Sequence, residues 1–406
     1  MMKDHHKLIR MENFPPEVMM EILSWIPLKY LLRFRCVNKT WLQLLTNDHI
    51  FAKLHLDRCS HYEPSILAVR RERCRCNQIK APNILARLAQ RKEIDPSCPG
   101  KAVFYFAEEC TVCDKGLDLP LPFDQTHNNC NVYGICNGLV LFWSSDHIYQ
   151  VYLWNPFMKN YITIQSPPIP AGFYWEMESI NGTFGFGFNE ATNQYKVIRF
   201  FDESNHLLQE FNVDYQLRVS VYTLGIDSSW RTLEETIPYH VTSKPYLAPL
   251  VSGALHWLMY KTGYANLEFI VSFDMKDEVF REMSVPADVS LLDWGKIGEL
   301  GGLLCFYTCR HFRNVRIWVM KEYGAVESWE KQFEITNVIV RYWVPLGFAK
   351  NGEIILEKIF SDQLMLYNRK ANLISFCERF KFEFDQVYTY VGSLISPTAI
   401  SRVRAT

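Results

Sequence analysis

The segments GALHWL, GGLLCFY and KNGEIIL begin at residues 253, 301 and 350, so a turn residue followed by an apolar strand returns after 48 and then 49 residues. A related segment, CNGLVLFW, begins at residue 136. The interval before 253 holds FGFGFNEATNQYKVIRF (184–200) and VYTLGIDSSWRTL (221–233), which read as further units. Most units continue into a second strand that ends in a charged turn, as in YLWNPFMKNY (152–161), VSFDMKDEVF (271–280), IWVMKEYGAVESW (317–329) and LMLYNRKANLIS (364–375). A small sheet recurring at a fixed period cannot cover its own faces, so its copies must pack around a ring.

This period is close to kelch-type spacing of roughly 50 residues and predicts a β-propeller of about six to seven blades, the seventh depending on segment 62–110. A β-sandwich with long insertions is the competing architecture, but it would not require a constant period. Aromatic residues make up 15% of the chain, which favours strands over helices. Residues 71–100 break the strand rhythm and read as an inserted loop with a short helix.

Residues 14–56 follow a different, helical periodicity. Val18, Met19, Ile22, Leu23 and Ile26 fall at the spacing of one helix face. Pro15 and Pro16 suit a first turn, Glu17 suits its positive end, and Pro27 stops the helix. A second segment runs through Leu31, Leu32, Phe34 and Arg35. A third starts at Asn38 as N-cap and carries Trp41, Leu42 and Leu45; Asp48 caps a fourth. The predicted fold is thus a small all-α N-terminal module of three to four helices followed by a mainly-β propeller domain. So few residues cannot bury Leu23, Ile26, Leu31, Leu32, Val37 and Trp41 around one tiny core, and a contiguous apolar surplus marks a protein-binding face.

Charge and motifs narrow the function classes. A net charge of −1 gives no bulk attraction to nucleic acid or to membranes. No apolar run reaches membrane-spanning length and MMKDHHKLIR is no signal peptide, so a cytoplasmic and/or nuclear protein with reduced thiols is expected. No phosphate-binding loop, nucleophile elbow or zinc-protease motif occurs. The acid pairs Glu108-Glu109 and Glu234-Glu235 would point to opposite faces of a strand, and His256 reads as a satisfied core histidine. Zinc is the rival reading for Cys74, Cys76, Cys98, Cys110, Cys113, His127, Cys130 and Cys136. Only Cys110 and Cys113 have ligand spacing, so no metal or cofactor is expected. Arg70, Arg71, Arg73, Arg75 and Lys80 read as a solvated basic loop.

FPPEVMMEILSWIPLKYLLRFRCVNKTWLQLLTNDHIFAKLHL (14–56) resembles an F-box in Phe14-Pro15, Glu17-Val18, Ile22-Leu23, Ile26-Pro27, Leu31, Arg35, Val37, Asn38-Lys39, Trp41 and Phe51. Phe14, Ile26 and Asn38 depart from the usual Leu, Leu and Cys. The segments from CNGLVLFW to YVGSLISP (390–397) resemble the plant F-box-associated region of F-box/kelch-like and S-locus F-box-type proteins. The expected division is a disordered tail over 1–10, an F-box over 11–57 and the associated propeller over 58–406. The resemblance implies a non-catalytic subunit of an SCF-type ubiquitin ligase, with a Skp-type adaptor and, through it, a cullin–RING core as partners. S-RNases are the targets of some members, and a kelch-like scaffold outside such a ligase is the alternative. On this reading the adaptor face comprises Pro15, Ile22, Leu23, Ile26, Pro27, Leu31, Leu32, Arg35, Val37, Lys39 and Trp41. Candidate target contacts are the loops around Tyr174, Trp175 and Glu176, Phe201 to Gln209, and His311 to Asn314.

Overall fold

A computed structural model describes residues 15–59, 65–72, 101–107, 130–144, 150–166, 184–202, 216–241, 247–262, 267–289, 294–310, 314–336, 343–348, 352–358, 364–368, 370, 373–377 and 386–402. The helical start follows from its boundary residues. Pro16 occupies the first turn of α1 (Pro16–Ser24), where its missing N–H costs nothing, and Pro27 precedes α2 (Leu28–Leu31). A 3-10 turn over Leu32–Cys36 leads to α3 (Lys39–Asn47) and α4 (His49–Cys59). The expected caps are present: Asn38 Oδ1 accepts the Trp41 N–H at 2.8 Å and Asp48 Oδ1 accepts that of Phe51 at 2.9 Å. Each satisfies a first-turn donor that the helix itself cannot pair. No helix among the described residues is long and apolar enough to cross a membrane.

The strands among the described residues form six antiparallel sheets. The first holds β3 (Cys130–Cys136), β4 (Leu139–Ser144), β5 (Gln150–Asn155) and β6 (Asn160–Gln165). The second holds β7 (Phe184–Asn189), β8 (Gln194–Asp202), β9 (Leu217–Thr223) and β10 (Arg231–Thr232). In the third, β11 (Tyr239–Val241) and β12 (Leu250–Val251) both pair with β13 (Ala254–Lys261), followed by β14 (Glu268–Asp274) and β15 (Phe280–Met283). The fourth runs from β16 (Trp294–Leu300) through β17 (Leu303–Arg310) and β18 (Asn314–Met320) to β19 (Trp329–Thr336). The fifth comprises β20 (Trp343–Phe348), β21 (Ile354–Lys358), β22 (Leu364–Asn368) and β23 (Leu373–Cys377).

The recurring sequence segment is the inner hairpin of a blade. Asn137-Gly138, Ser252-Gly253 and Gly301-Gly302 are two-residue turns with positive φ at both positions, as type I′ hairpins require. A longer turn uses another device, in the outer hairpins of the first and third blades and in the second blade. Asn155, Asn189 and Asp274 each accept backbone N–H groups two or three residues ahead, and the residue four places on (Lys159, Asn193, Glu278) has positive φ. The second blade uses this longer turn for its inner hairpin, β7 to β8. The inner hairpin of the unit between 136 and 253 therefore lacks the two-residue turn of the other blades.

Five blades have four or five strands, and the sixth position is held by a three-stranded sheet of β24 (Gln386–Tyr390), β1 (Ser65–Glu72) and β2 (Lys101–Ala107). β1 pairs with both β24 and β2, so strands from opposite ends of the domain close the ring. The strands of segment 62–110 therefore complete the sixth blade and add no seventh. The expected tail over 1–10, and the expected insertion over 71–100 beyond Glu72, lie outside the described residues.

Inner strands converge tightly where glycine allows it. A Cβ on Gly134 of β3 would lie 2.4 Å from Phe186 Cβ on β7, and one on Gly185 would lie 2.5 Å from the Trp257 ring on β13. The glycines of GFGF thus serve packing between blades. His256 is likewise a core group, fully buried, with Nδ1 3.2 Å from the Pro249 carbonyl and Nε2 2.9 Å from the Tyr323 hydroxyl. Burial lowers its pKa to about 4, so it is neutral at pH 7.

A charge cluster ties the second blade to the third. Lys196 Nζ, with its side chain 5% exposed, donates to the Met275 carbonyl at 2.6 Å and to Glu278 Oε1 at 2.8 Å, while Arg231 binds the same carboxylate. Burial raises the pKa of Glu278, but the hydrogen bonds from Arg231 and Lys196 outweigh it and leave the group below its usual value. Its contribution to stability is therefore complete above the ordinary carboxylate pKa of about 4.3 and is lost as pH falls through the lowered folded value. Glu278→Ala leaves Lys196 buried without its carboxylate and is expected to cost about 3 kcal/mol at pH 7. Urea unfolding across pH checks this, and the gap to the wild type should narrow towards pH 3 or so as the carboxylate protonates.

Candidate functional site

The helix α1 carries two apolar stripes, each spaced four and then three residues. Met19, Leu23 and Ile26 turn inward and join a core that continues through Leu31, Trp41, Leu45 and Phe51 into blade residues Leu139, Leu141 and Leu153. Val18, Ile22 and Trp25 turn outward, 41%, 42% and 55% exposed. The sequence pattern merges these stripes into one face because 18/19 and 22/23 are adjacent pairs. The positions of Pro15, Ile22, Pro27, Val37 and Lys39 are exposed, and those of Ile26, Leu32 and Arg35 are half-buried. Leu23, Leu31 and Trp41, nominated for the adaptor face, are core side chains here: Leu23 and Leu31 have no exposed surface and Trp41 only 6%.

Sequence reasoning missed Trp25, Tyr30, Leu42 and Ile50, all large and exposed. The spacing of Val18, Ile22 and Trp25 was the available signal. Trp25 is held in place by a small network. Arg58 lies 4.8 Å from its ring centroid and donates to Glu21 Oε2 at 2.6 Å, and the Trp25 indole N–H reaches Glu21 Oε1 at 3.3 Å. Those hydrogen bonds, the one from Arg58 foremost, hold the Glu21 carboxyl below its usual pKa. Lys29, Arg33 and Lys39 are exposed beside Tyr30 and Val37, with Arg33 5.9 Å from the Tyr30 ring. Beneath this face His55 Nε2 meets the Ile26 carbonyl at 2.9 Å at the end of α1, and burial lowers its pKa. The outcome is an apolar, basic-rimmed surface on a fixed helical frame.

The module stands on one end of the propeller. Strands alternate in direction, so the β3–β4, β5–β6 and β7–β8 turns share an end, and that end meets the helices. Arg35 donates to the Met158 sulfur, and Lys53 Nζ lies 5.7 Å from the Phe188 ring. The opposite end carries the longer connections, where β6 leads to β7 and β8 to β9. Of the nominated target contacts, Phe201 and Asn314 sit at that opposite end. Phe201 is half-buried against Arg199, 4.5 Å from its ring centroid, and Asn314 opens β18. Tyr174, Trp175, Glu176 and His311 lie outside the described residues.

No group of three or more His, Cys, Asp or Glu side chains among the described residues is placed to hold a metal ion. Cys74, Cys76, Cys98, Cys110, Cys113 and His127 lie outside the described residues, and Cys136 is a free thiol.

The chain thus combines a helical module that has an outward apolar face with a β-propeller. Residues 11–53 match the F-box domain and residues 105–387 the F-box associated beta propeller domain. The chain belongs to this family of F-box proteins with an associated propeller. Among similar curated proteins of Arabidopsis thaliana, F-box protein At3g07870 is 27% identical, over 84% of this chain and 76% of its own length. F-box/kelch-repeat protein At3g23880 is 26% identical over 95% and 96% of the two chains, and F-box protein CPR1 is 23% identical over 90% and 84%.

The split between core and face has a direct test. Leu23→Ala or Leu31→Ala should each cost about 2–5 kcal/mol in urea unfolding, as buried leucines do. Ile22→Ser on the outward stripe should stay within about 0.5 kcal/mol of the wild type.

Proposed function

We propose that the protein is the target-binding subunit of an SCF-type ubiquitin ligase. On this reading the outward face of the helical module binds a Skp-type adaptor, and through it the cullin–RING core. The propeller end away from the helices binds a target protein. The observation that carries the reading is the row Val18, Ile22 and Trp25, together with Tyr30 and Val37, all exposed while the other stripe of α1 packs into the core shared with the propeller. The rim of Lys29, Arg33 and Lys39 favours an adaptor with acidic groups around an apolar groove. The subunit performs no bond chemistry. It raises the effective concentration of a target lysine at the ligase's catalytic module, in the cytoplasm and/or nucleus. S-RNases are one candidate target class. A kelch-like scaffold outside the ligase is the alternative.

Purified full-length chain and a Skp-type adaptor test the proposal. Ile22→Ala with Trp25→Ala should weaken adaptor binding by roughly 30-fold or more, since an anchor truncation costs about 2 kcal/mol or above, while the unfolding midpoint is unchanged. Affinity of the wild type should also fall with added salt. A wild-type chain that does not bind the adaptor would favour the scaffold, and unaltered binding by the double variant would remove the face assignment.

A further inference from the structure

Between β24 and the last helix, α5 (Pro397–Arg402), the chain passes through the junction of helices and propeller. Gly392 lies at its narrowest point. A Cβ there would be 2.7 Å from Leu28 Cδ2 on α2 and 2.9 Å from Phe157 Cε2 in the β5–β6 turn. Only a residue without a side chain lets Leu28 and Phe157 close over the backbone from the two sides. The next residues are fastened to the propeller. The Asn155 side-chain amide donates to the carbonyls of Ser393 and Ile395 at 3.0 and 2.7 Å. Ser393 Oγ donates to the Asn137 carbonyl at 2.5 Å, and Asn160 Nδ2 to Ser396 Oγ at 2.8 Å. Leu394 and Ile395 complete the core that Leu23, Leu31 and Trp41 enter from the helical side.

We propose that residues 392–396 form a strap that fixes the orientation of the helical module on the propeller, with Gly392 the positioning residue that sets how closely the two approach. The strap is propeller backbone by its hydrogen bonds and helical-module core by its side chains. An orientation set in this way does not depend on the length or composition of the segment between α4 and β1. The consequence for ligation rests on the function proposed above. A fixed junction removes the orientations in which a bound target points away from the catalytic module, so none of the effective concentration is lost to them.

The test uses the full-length chain without any partner. Gly392→Ala should raise amide hydrogen exchange in α1 and α2 by roughly tenfold or more and leave the amides of β16–β19 at wild-type rates. The radius of gyration from small-angle scattering should increase in the same variant. Adding Leu28→Val, which removes the clashing Cδ2 atom, should return both readouts towards the wild type; a general packing defect would not be relieved by a second truncation. If Gly392→Ala does not fold, Asn160→Ala, which removes the hydrogen bond to Ser396 of the strap, is read in the same way. Unchanged exchange and scattering, or a failure of Leu28→Val to relieve them, would overturn the proposal. Adaptor binding measured alongside should stay at the wild-type affinity. Absence of adaptor binding by the wild type would count against the proposed function and leave the exchange result standing.

Discussion

Asn155 has no exposed surface and uses its whole hydrogen-bonding capacity. Its oxygen accepts the N–H groups of Phe157 and Met158, and its amide donates to the carbonyls of Ser393 and Ile395. Fully satisfied buried polar groups of this kind specify one arrangement, because any other leaves polar atoms unpaired in a dry interior. The side chain shapes the β5–β6 turn and anchors the chain as it leaves β24. β24 in turn pairs with β1, so the interaction lies next to the closure of the ring and beneath the helical module. The Tyr390 hydroxyl, donating to the Gly138 carbonyl at 2.8 Å, brings the first inner hairpin into the same junction.

This arrangement divides the propeller into two ends with different properties. Short hairpins with positive-φ residues make the end that meets the helices compact, and Met158, Phe188 and Gly392 receive them. The other end has the longer connections, and long connections on a fixed scaffold are where binding residues concentrate. On the proposed reading, the propeller holds the adaptor-docking module and the target-binding end apart. Inter-blade contacts such as Lys196 with Glu278 and His256 with Tyr323 keep the two in register.

The sequence shows most of this fold, for identifiable reasons. The helix caps are local, so Asn38 and Asp48 were legible from residue type alone. The blade period was legible because three inner hairpins share one turn chemistry, and it failed at β7–β8, where Asn189 builds a different turn. Closure of the sixth blade by β1, β2 and β24 was not legible, since pairing between distant strands leaves no periodic trace. The same holds for the outward face of α1. Val18 and Met19 are equally apolar, and only the packing of the propeller beneath the helices decides which of them is buried. Asn155 and Gly392 look like ordinary turn residues until the chain segments around them are brought together.

Hydrogen-exchange footprinting of the full-length chain with a purified Skp-type adaptor tests the account most directly. Protection should appear in α1 and in the α2–α3 region that bear Ile22, Trp25, Tyr30 and Val37, and the strands at the opposite end of the propeller should be unaffected. Protection confined to the blades, or no complex at all, would contradict it.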